Sequence, residues 1–190
     1  MTTGFSLGSD HILIDSSDPA VPVVSLNRPQ RRNAVTLDMW RELGRVFERL
    51  GTDASVRAII LTGTGGAFCA GADITEFPRV RATPEDARAY EAAGDACLLA
   101  IRGCPKATIA AVSGACFGGG VGLALACDFR LADGTAYFAI PAARLSNVYG
   151  LVETQSLLEA VGLEGAKEVL FTGRRYHADA FVHDDDGTGT

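Results

Sequence analysis

Residues 107–127, ATIAAVSGACFGGGVGLALAC, decide the fold class because they form an uncharged run of 21 residues with three consecutive glycines. A run of this length could cross a membrane as a helix. Five of its residues are glycine, however, and it divides into a first half typical of a β-strand and a second half typical of a helix. We therefore expect a buried strand, a glycine-rich turn and a buried helix, with no membrane segment.

A second stretch, RAIILTGTGGAFCAGAD at 57–73, also runs from an apolar strand into a loop of glycine and alanine. The first amide groups of a helix lack acceptors within it, so each loop should present free N–H donors. If the two loops meet, they form a pocket with two convergent donors. Neither loop has the glycine spacing of known nucleotide-binding motifs. A purely structural function, in which the glycines allow strand and helix to pack closely, stays open on this evidence.

The remaining segments alternate between strand and helix patterns, which predicts an α/β architecture. They predict a hairpin (11–15 with 21–27), an amphipathic helix capped by Thr36, a strand at 57–63, a helix from Thr83 to Gly103, a helix at 123–126, paired strands at 128–133 and 136–141, and closing helices at 152–160 and 164–170. We expect one domain over residues 1–180 and a disordered polar tail at 181–190.

Composition excludes several classes of function. The net charge is -6 and no cluster of five basic residues is present, so a nucleic-acid partner is not expected. The five cysteines form no C-x-x-C pair and lie mostly in apolar runs, which favours reduced thiols and a cytoplasmic location. The three histidines lie near the ends of the chain, and His183 with the three following aspartates is typical of a solvated tail, so no metal site is expected.

Three segments, in this order, carry a family resemblance: LNRPQRRNAV (26–35), AFCAGADI (67–74) and residues 109–132. Together they resemble the crotonase (enoyl-CoA hydratase/isomerase) superfamily, and AYFAIPAARL (136–145) and KEVLFTGRRYHADA (167–180) extend the resemblance. It implies a spiral of ββα repeats, with two packed sheets flanked by helices. It also implies an acyl-CoA thioester as ligand, with CoA entering as part of the substrate and no separate cofactor.

The resemblance also implies site residues. The backbone N–H groups of Ala72 and Gly119 would hold the thioester oxygen as an oxyanion hole. The residues expected along the CoA moiety are Arg32, Asn33, Ala34, Ala70, Ala72, Asp73 and Ile74. For the arginines of this loop, a solvated surface turn is an equal alternative to phosphate contact, and Arg28 is expected to serve structure only.

The two glutamates that hydratases of the superfamily use fall at Gly122 and Ala142, neither of which can carry a proton. We therefore expect a lyase or isomerase that acts through a thioester enolate. Tyr149 and Glu153 are the remaining candidates for catalysis. Glu153 lies one helical turn beyond a carboxylate position occupied here by Gly150, so a short reach and a helix-capping function are expected alternatives.

Tyr149 matches by position a tyrosine of decarboxylases in the superfamily, which suggests a malonyl-type-CoA decarboxylase as one alternative; a ring packed under the glycine loop is the structural one. A non-catalytic acyl-CoA binder is a further alternative, because members of the superfamily continue past Ala180 with helices that cap the acyl pocket and build a trimer. The expectation is thus a truncated C-terminal region and a homo-oligomer, a trimer by resemblance. A purely structural domain is least favoured, since it leaves the paired donor loops unexplained.

Overall fold

The computed structural model describes residues 10–145 and 148–178, which fold around two β-sheets. The strands are β1 (Ile12–Asp15), β2 (Val23–Leu26), β3 (Ala58–Gly63), β4 (Ala107–Val112), β5 (Ala115–Phe117), β6 (Phe129–Ala132), β7 (Tyr137–Ala139) and β8 (Tyr176–His177). The larger sheet has the order β1-β2-β3-β4-β6, and the smaller has the order β5-β7-β8. β1 and β2 pair antiparallel as the expected hairpin, and the other strands of the larger sheet are parallel.

The expected pairing of residues 128–133 with 136–141 is wrong, because β6 and β7 lie in different sheets. β6 joins β4 in parallel, with Ile109 opposite Phe129, and β7 joins β5 in parallel, with Ala115 opposite Tyr137. The chain passes from the larger sheet to the smaller one between β4 and β5. It does so again between β6 and β7, which pair with β4 and β5 respectively. These two adjacent strands therefore pair with strands of the preceding turn of the spiral and not with each other.

The helices with predicted N-caps form as expected. α1 (Leu37–Thr52) begins at Thr36, whose hydroxyl accepts a hydrogen bond from the Met39 amide at 3.3 Å. A four-residue helix, α2 (Phe77–Val80), precedes α3 (Pro84–Arg102), which begins with a capping box at Thr83 and ends at Gly103. α1 and α3 pack against each other beside the larger sheet, and the buried stripe of α1 predicted from its periodicity faces the core.

The helix after the triple glycine begins earlier than predicted. α4 (Gly119–Ala126) includes two of the three glycines, and its N-cap is Gly118. α5 (Leu151–Thr172) interrupts its helical backbone at Gly162, so it contains the two closing helices predicted at 152–160 and 164–170. Short 3-10 turns cover Pro29–Arg31, Ile74–Glu76 and Ala142–Leu145.

The core consists of aliphatic and aromatic side chains from both sheets and the helices packed on them. All five cysteines are free thiols, and four of them are buried, in agreement with the prediction from sequence. No helix in the described ranges is long and apolar enough to cross a membrane. The tail at 181–190, with His183, lies outside the described residues.

Candidate active site

The two glycine-rich loops lie side by side, which is the condition under which the sequence predicted a pocket between them. Cys69 and Cys116 form an isolated parallel bridge, in which the Cys69 amide donates to the Ala115 carbonyl at 2.9 Å and the Phe117 amide donates to the Cys69 carbonyl at 2.8 Å. The backbone at residue 69 is thus bonded directly to the strand that leads into the triple glycine. The two loops together form one side of a cavity.

Glycine is required where these loops touch. Gly71 has a φ of +92°, and a Cβ there would stand 2.8 Å from the carbonyl oxygen of Phe117 and 3.4 Å from the amide nitrogen of Gly119. A Cβ at Gly120 would stand 2.4 Å from the carbonyl oxygen of Cys69. Both contacts are with backbone atoms that cannot move aside easily, so the close approach of the loops depends on the missing side chains.

The amides of Ala72 and Gly119, the expected oxyanion-hole donors, belong to loop residues beside the cavity. Val35 and Ala72 form an isolated parallel bridge, in which the Val35 amide donates to the Gly71 carbonyl and the Asp73 amide donates to the Val35 carbonyl. Because successive N–H groups alternate in direction along extended backbone, the Ala72 N–H points away from Val35. Gly119 is the first residue of α4, where an N–H has no acceptor within the helix. Both residues line the cavity, and within residues 10–145 and 148–178 neither amide donates to a loop carbonyl.

The cavity has a volume of about 780 Å³, within the range of small-molecule sites. Its lining includes aromatic side chains from α1, α2, α3 and β5, three acids and the glycine-rich loops: Trp40, Phe77, Tyr90, Phe117, Glu91, Asp95, Glu153, Ala70, Gly71, Ala72, Gly118 and Gly119. An enclosure of apolar walls with a few polar groups is typical of small-molecule sites.

Trp40 forms a wall beside the second loop. Its ring atoms Cζ2 and Cη2 lie 3.1 and 3.2 Å from the point where a Cβ at Gly119 would stand, so a side chain at 119 would require the ring to shift by a few tenths of an ångström. The Trp40 indole N–H donates to the Tyr90 hydroxyl at 3.3 Å. Burial raises the pKa of Tyr90 to about 12, so this phenol stays protonated.

Glu153 reaches the site, and the expectation of a short reach is wrong. Its Oε1 lies 3.6 Å from the Cβ position of Gly119 and 2.9 Å from that of Gly122. Because Gly122 has no side chain, the Glu153 carboxyl occupies the space where a side chain at 122 would stand. The capping alternative also holds, since Oε2 accepts a hydrogen bond from the Gly150 amide at 3.0 Å.

The surroundings of Glu153 disfavour its charge. Burial raises the pKa of Glu153 to about 7, the negative charge of Asp95 adds to the rise, and the hydrogen bond from Gly150 opposes it. At neutral pH both the ionised and the protonated forms are populated. This carboxyl can therefore accept a proton and return it without a large change in free energy.

Tyr149 also lines the cavity, but its hydroxyl proton is directed at the loop. The hydroxyl donates to the carbonyl oxygen of Gly118, the N-cap of α4, at 3.1 Å. Burial holds the pKa of Tyr149 well above its usual value, and the nearby Glu153 adds to the rise. The contact is the packing under the loop that the sequence suggested as an alternative, and it positions the residue before Gly119.

The residues predicted to contact CoA divide into two groups. Ala70, Ala72 and Ile74 line the cavity, and Ile74 is 59% exposed at its rim. Arg32, Asn33, Ala34 and Asp73 do not line it. The Arg32 side chain is exposed and its carbonyl accepts from the Ala70 amide at 2.9 Å, so this residue connects the two predicted CoA segments through the backbone.

Asn33 and Asp73 hold the loops together from inside. Asn33 is fully buried, and its side-chain amide donates to the carbonyls of Thr64 and Ala67 at 2.9 and 2.7 Å. These bonds leave its side chain no surface for a ligand. Arg28 donates to the Asp73 carboxylate at 2.8 Å, which agrees with its predicted structural function.

Sequence reasoning missed the contribution of α3 to the site. Tyr90, Glu91 and Asp95 on this helix line the cavity. One signal was available, because Glu91 and Asp95 stand four residues apart on a helix, where like charges on one face are unfavourable.

These features define a class of α/β protein in which two glycine-rich loops and a half-buried carboxyl group border a ligand-sized cavity. Residues 17–182 match the sequence profile of the family described as Enoyl-CoA hydratase/isomerase, and the chain belongs to this family.

Similar proteins of known structure have the same fold, so the predicted crotonase fold is confirmed. An enoyl-CoA hydratase/carnithine racemase from Magnetospirillum magneticum superposes with a TM-score of 0.86 at 40% identity, over 90% of this chain and 64% of that one. For an enoyl-CoA hydratase from Bacillus anthracis the TM-score is 0.83 at 35% identity, over 89% and 65%. A short-chain-enoyl-CoA hydratase of Clostridium acetobutylicum is 36% identical over 84% of this chain and 60% of its own length. The chain thus spans less than two thirds of each of these relatives.

Proposed function

We propose that this protein binds an acyl-CoA thioester and moves a proton at its α-carbon through an enolate, as an isomerase or lyase and not as an ordinary hydratase. The observation that carries the proposal is the Glu153 carboxyl, which lies beside Gly119 in the space left by Gly122. The names of its relatives support an acyl-CoA substrate.

The thioester oxygen would lie between the amides of Ala72 and Gly119. Charge develops on this oxygen as an enolate forms, so donors held in place by the backbone stabilise the transition state more than the bound substrate. One such donor is typically worth about 10²- to 10³-fold in rate. The contact between the loops keeps both donors in position, so they need not be ordered during the reaction.

Glu153 would act as the base and then as the acid. With a 3-enoyl thioester, its carboxylate takes a proton from the α-carbon, and the electrons of the broken C–H bond form the dienolate on the thioester oxygen. The same carboxyl then delivers the proton to the γ-carbon, and the double bond moves to the 2,3-position. A single carboxyl with a pKa of about 7 suffices for this exchange.

Ordinary hydration in the superfamily needs a second glutamate, at a defined position of the site, to hold and activate a water. By family resemblance that position is Ala142, whose methyl group lines the cavity and cannot carry a proton. The arrangement around the two loops therefore favours proton transfer with one base. Decarboxylation of a malonyl-type thioester needs no base, and it is the second candidate because Tyr149 holds Gly118 beside the predicted oxyanion hole.

The direct test follows the conversion of a 3-enoyl-CoA to the conjugated 2-enoyl-CoA by its absorbance. We expect turnover by the native protein and a loss of about 10²- to 10⁴-fold in kcat in Glu153→Gln, because the amide cannot accept the proton. Glu164→Gln is the matched control, since Glu164 is exposed on the same helix. Binding of acetoacetyl-CoA, measured by calorimetry, should persist in both variants.

Four results would contradict the proposal. Full activity of Glu153→Gln would remove Glu153 from the chemistry. Rapid hydration of crotonyl-CoA would identify a hydratase, and release of CO₂ from a malonyl-type thioester without isomerisation would identify a decarboxylase. Tight binding of acetoacetyl-CoA with no turnover of any of these substrates would identify a non-catalytic binder.

A further inference from the structure

A second carboxyl group stands near Glu153 on the wall of the cavity formed by α3. Asp95 is half-buried and lines the cavity together with Glu153. If Gly150 carried a Cβ, that atom would stand 2.8 Å from Oε2 of Glu153 and 3.9 Å from Oδ1 of Asp95. The two carboxyl groups therefore approach the same point from two helices that pack against each other.

No cation compensates this pair within the described part of the chain. Neither carboxyl forms an ion pair there, whereas Glu91, one turn before Asp95, pairs with Arg81 at 2.8 Å. An ion pair does join α3 and α5, between Arg102 and Glu159, but it is exposed and lies farther along the helices.

The other elements packed around the pair add few charges. α4, which packs against α5, carries no titratable side chain. The phenols of Tyr90 and Tyr149 line the same cavity and remain neutral, because burial raises the pKa of each. The two carboxyl groups thus border the same part of the cavity, with Glu91 as a third acid in the lining and the Arg81 guanidinium paired with Glu91.

We propose that Asp95 and Glu153 form a coupled carboxyl pair that retains one proton at neutral pH, and that Asp95 is a positioning residue for proton transfer by Glu153. This inference rests on the function proposed above for Glu153. Two carboxylates in a partly dry site repel each other, so the second proton leaves only at a higher pH than the first.

The electrostatics of Glu153 agree with this geometry. The charge of Asp95 is one cause of the raised pKa of Glu153, after burial. The pKa of Asp95 is itself raised, first by burial and then by the charge of Glu91. The negative charge of Asp95 makes Glu153 a stronger base than an isolated glutamate at the same site, which favours removal of a weakly acidic α-proton.

The test is a titration of Glu153 in the ligand-free protein, followed by the NMR signal of its ¹³C-labelled carboxyl carbon. The signal is assigned by its loss in Glu153→Gln. Asp95→Asn should lower the apparent pKa of Glu153 by about one unit, because the neutral amide removes the repulsion. Asp95→Glu retains the charge and should keep the titration near that of the native protein. Glu85→Gln is the control, since Glu85 is exposed on the same helix.

The kinetic readout follows from the same shift. In Asp95→Asn the acidic limb of the pH profile of kcat/KM should move to lower pH by the same amount, and the plateau should fall about 3- to 30-fold as the base weakens. An unchanged titration of Glu153 in Asp95→Asn would overturn the coupled pair, whatever the activity. If Asp95→Asn fails to fold, a shift of the Glu153 titration in Asp95→Glu by more than a few tenths of a unit would also count against the pair.

The titration separates the two proposals because it requires no substrate. A shifted titration in a protein that turns over no acyl-CoA would retain the pair and reject the proposed function. Isomerisation that depends on Glu153 with an unshifted titration would retain the function and reject the pair.

Discussion

At the scale of single residues, the site depends on which side chains are missing as much as on those present. Gly122 leaves a space on α4, and Glu153 of α5 fills it with a carboxyl group 2.9 Å from the absent Cβ. The two positions are therefore coupled, since a side chain at 122 and the observed position of Glu153 exclude each other. A carboxyl group supplied from another helix can occupy the same volume beside Gly119.

Substitution of Gly122 by alanine tests this coupling. The new Cβ would touch Oε1 and Cγ of Glu153 at 2.9 and 3.1 Å, so the flexible carboxyl must turn away. We expect kcat for 3-enoyl-CoA isomerisation to fall about tenfold or more with a small change in KM, because a misplaced base weakens the chemical step. Gly134→Ala, where a Cβ meets no atom within 4 Å, should leave kcat unchanged. A native kcat in Gly122→Ala would show that the position of Glu153 is not critical.

At the scale of elements, α3 and α5 each bring one acid to the cavity, and each begins at a defined cap. α3 starts with a reciprocal capping box, in which the Thr83 hydroxyl accepts from the Asp86 amide at 3.1 Å and the Asp86 carboxyl accepts from the Thr83 amide at 3.1 Å. α5 starts at Gly150, where Glu153 is the capping acid. Glu153 thus serves both its helix and the cavity, whereas the cap of α3 lies more than two turns before Asp95.

Removal of the α3 cap should therefore affect stability more than ligand binding. Thr83→Ala removes the hydroxyl that accepts from Asp86, and we expect the free energy of unfolding to fall by about 1 kcal/mol. Thr83→Ser keeps the hydroxyl and should retain most of this stability. Denaturant unfolding measures the difference, and calorimetry should give the same affinity for acetoacetyl-CoA in both variants. A several-fold loss of affinity in Thr83→Ala alone would mean that the cap positions the cavity wall.

At the scale of the whole molecule, the cavity lies where successive turns of the spiral come together. The first loop follows β3, the second follows β4 and β5, and the bridge between Cys69 and Cys116 joins them. The acids come from helices that are far apart in sequence and pack side by side. This packing places Glu153 in a partly dehydrated environment. Ionisation of Glu153 in the folded protein therefore lowers the free energy of unfolding.

The pH dependence of unfolding should show this cost. Because the pKa of Glu153 is raised from 4.5 to about 7 in the folded protein, the folded state binds more protons than the unfolded chain between these values. The contribution of Glu153 to stability is therefore full at low pH, declines as pH rises through this window, and is lost above the folded pKa. Glu153→Gln has no charge to bury.

Denaturant unfolding of the native protein and Glu153→Gln at about pH 5 and about pH 8 measures this contribution. We expect the variant to gain stability relative to the native protein at the higher pH. Glu164→Gln, on the exposed face of α5, should show no such gain. An equal difference between native protein and Glu153→Gln at both pH values would mean that Glu153 titrates normally.

Much of the fold follows from local patterns in the sequence. The caps at Thr36 and Thr83, the apolar stripe of α1 and the breaks at Gly103 and Gly162 depend on neighbouring residues, so they could be predicted. The pairing of β6 and β7 could not be predicted in this way, because their partners β4 and β5 are distant in sequence and both runs are short and apolar. The early start of α4 was missed because glycine is a poor helix former in isolation. Here the close contact of Gly120 with the Cys69 backbone requires a residue without a side chain.

For the site, the sequence by itself predicted the two glycine-rich loops, and the family resemblance pointed to Ala72 and Gly119, which both line the cavity. Both depend on glycine, alanine and backbone geometry within short segments, and the family resemblance rests on the same segments. The tertiary structure alone decided where the acids lie. The reach of Glu153 depends on the space left by Gly122, and the approach of Asp95 depends on how α3 packs against α5. Such distances are set by the packing of side chains from separate elements, which no local pattern contains.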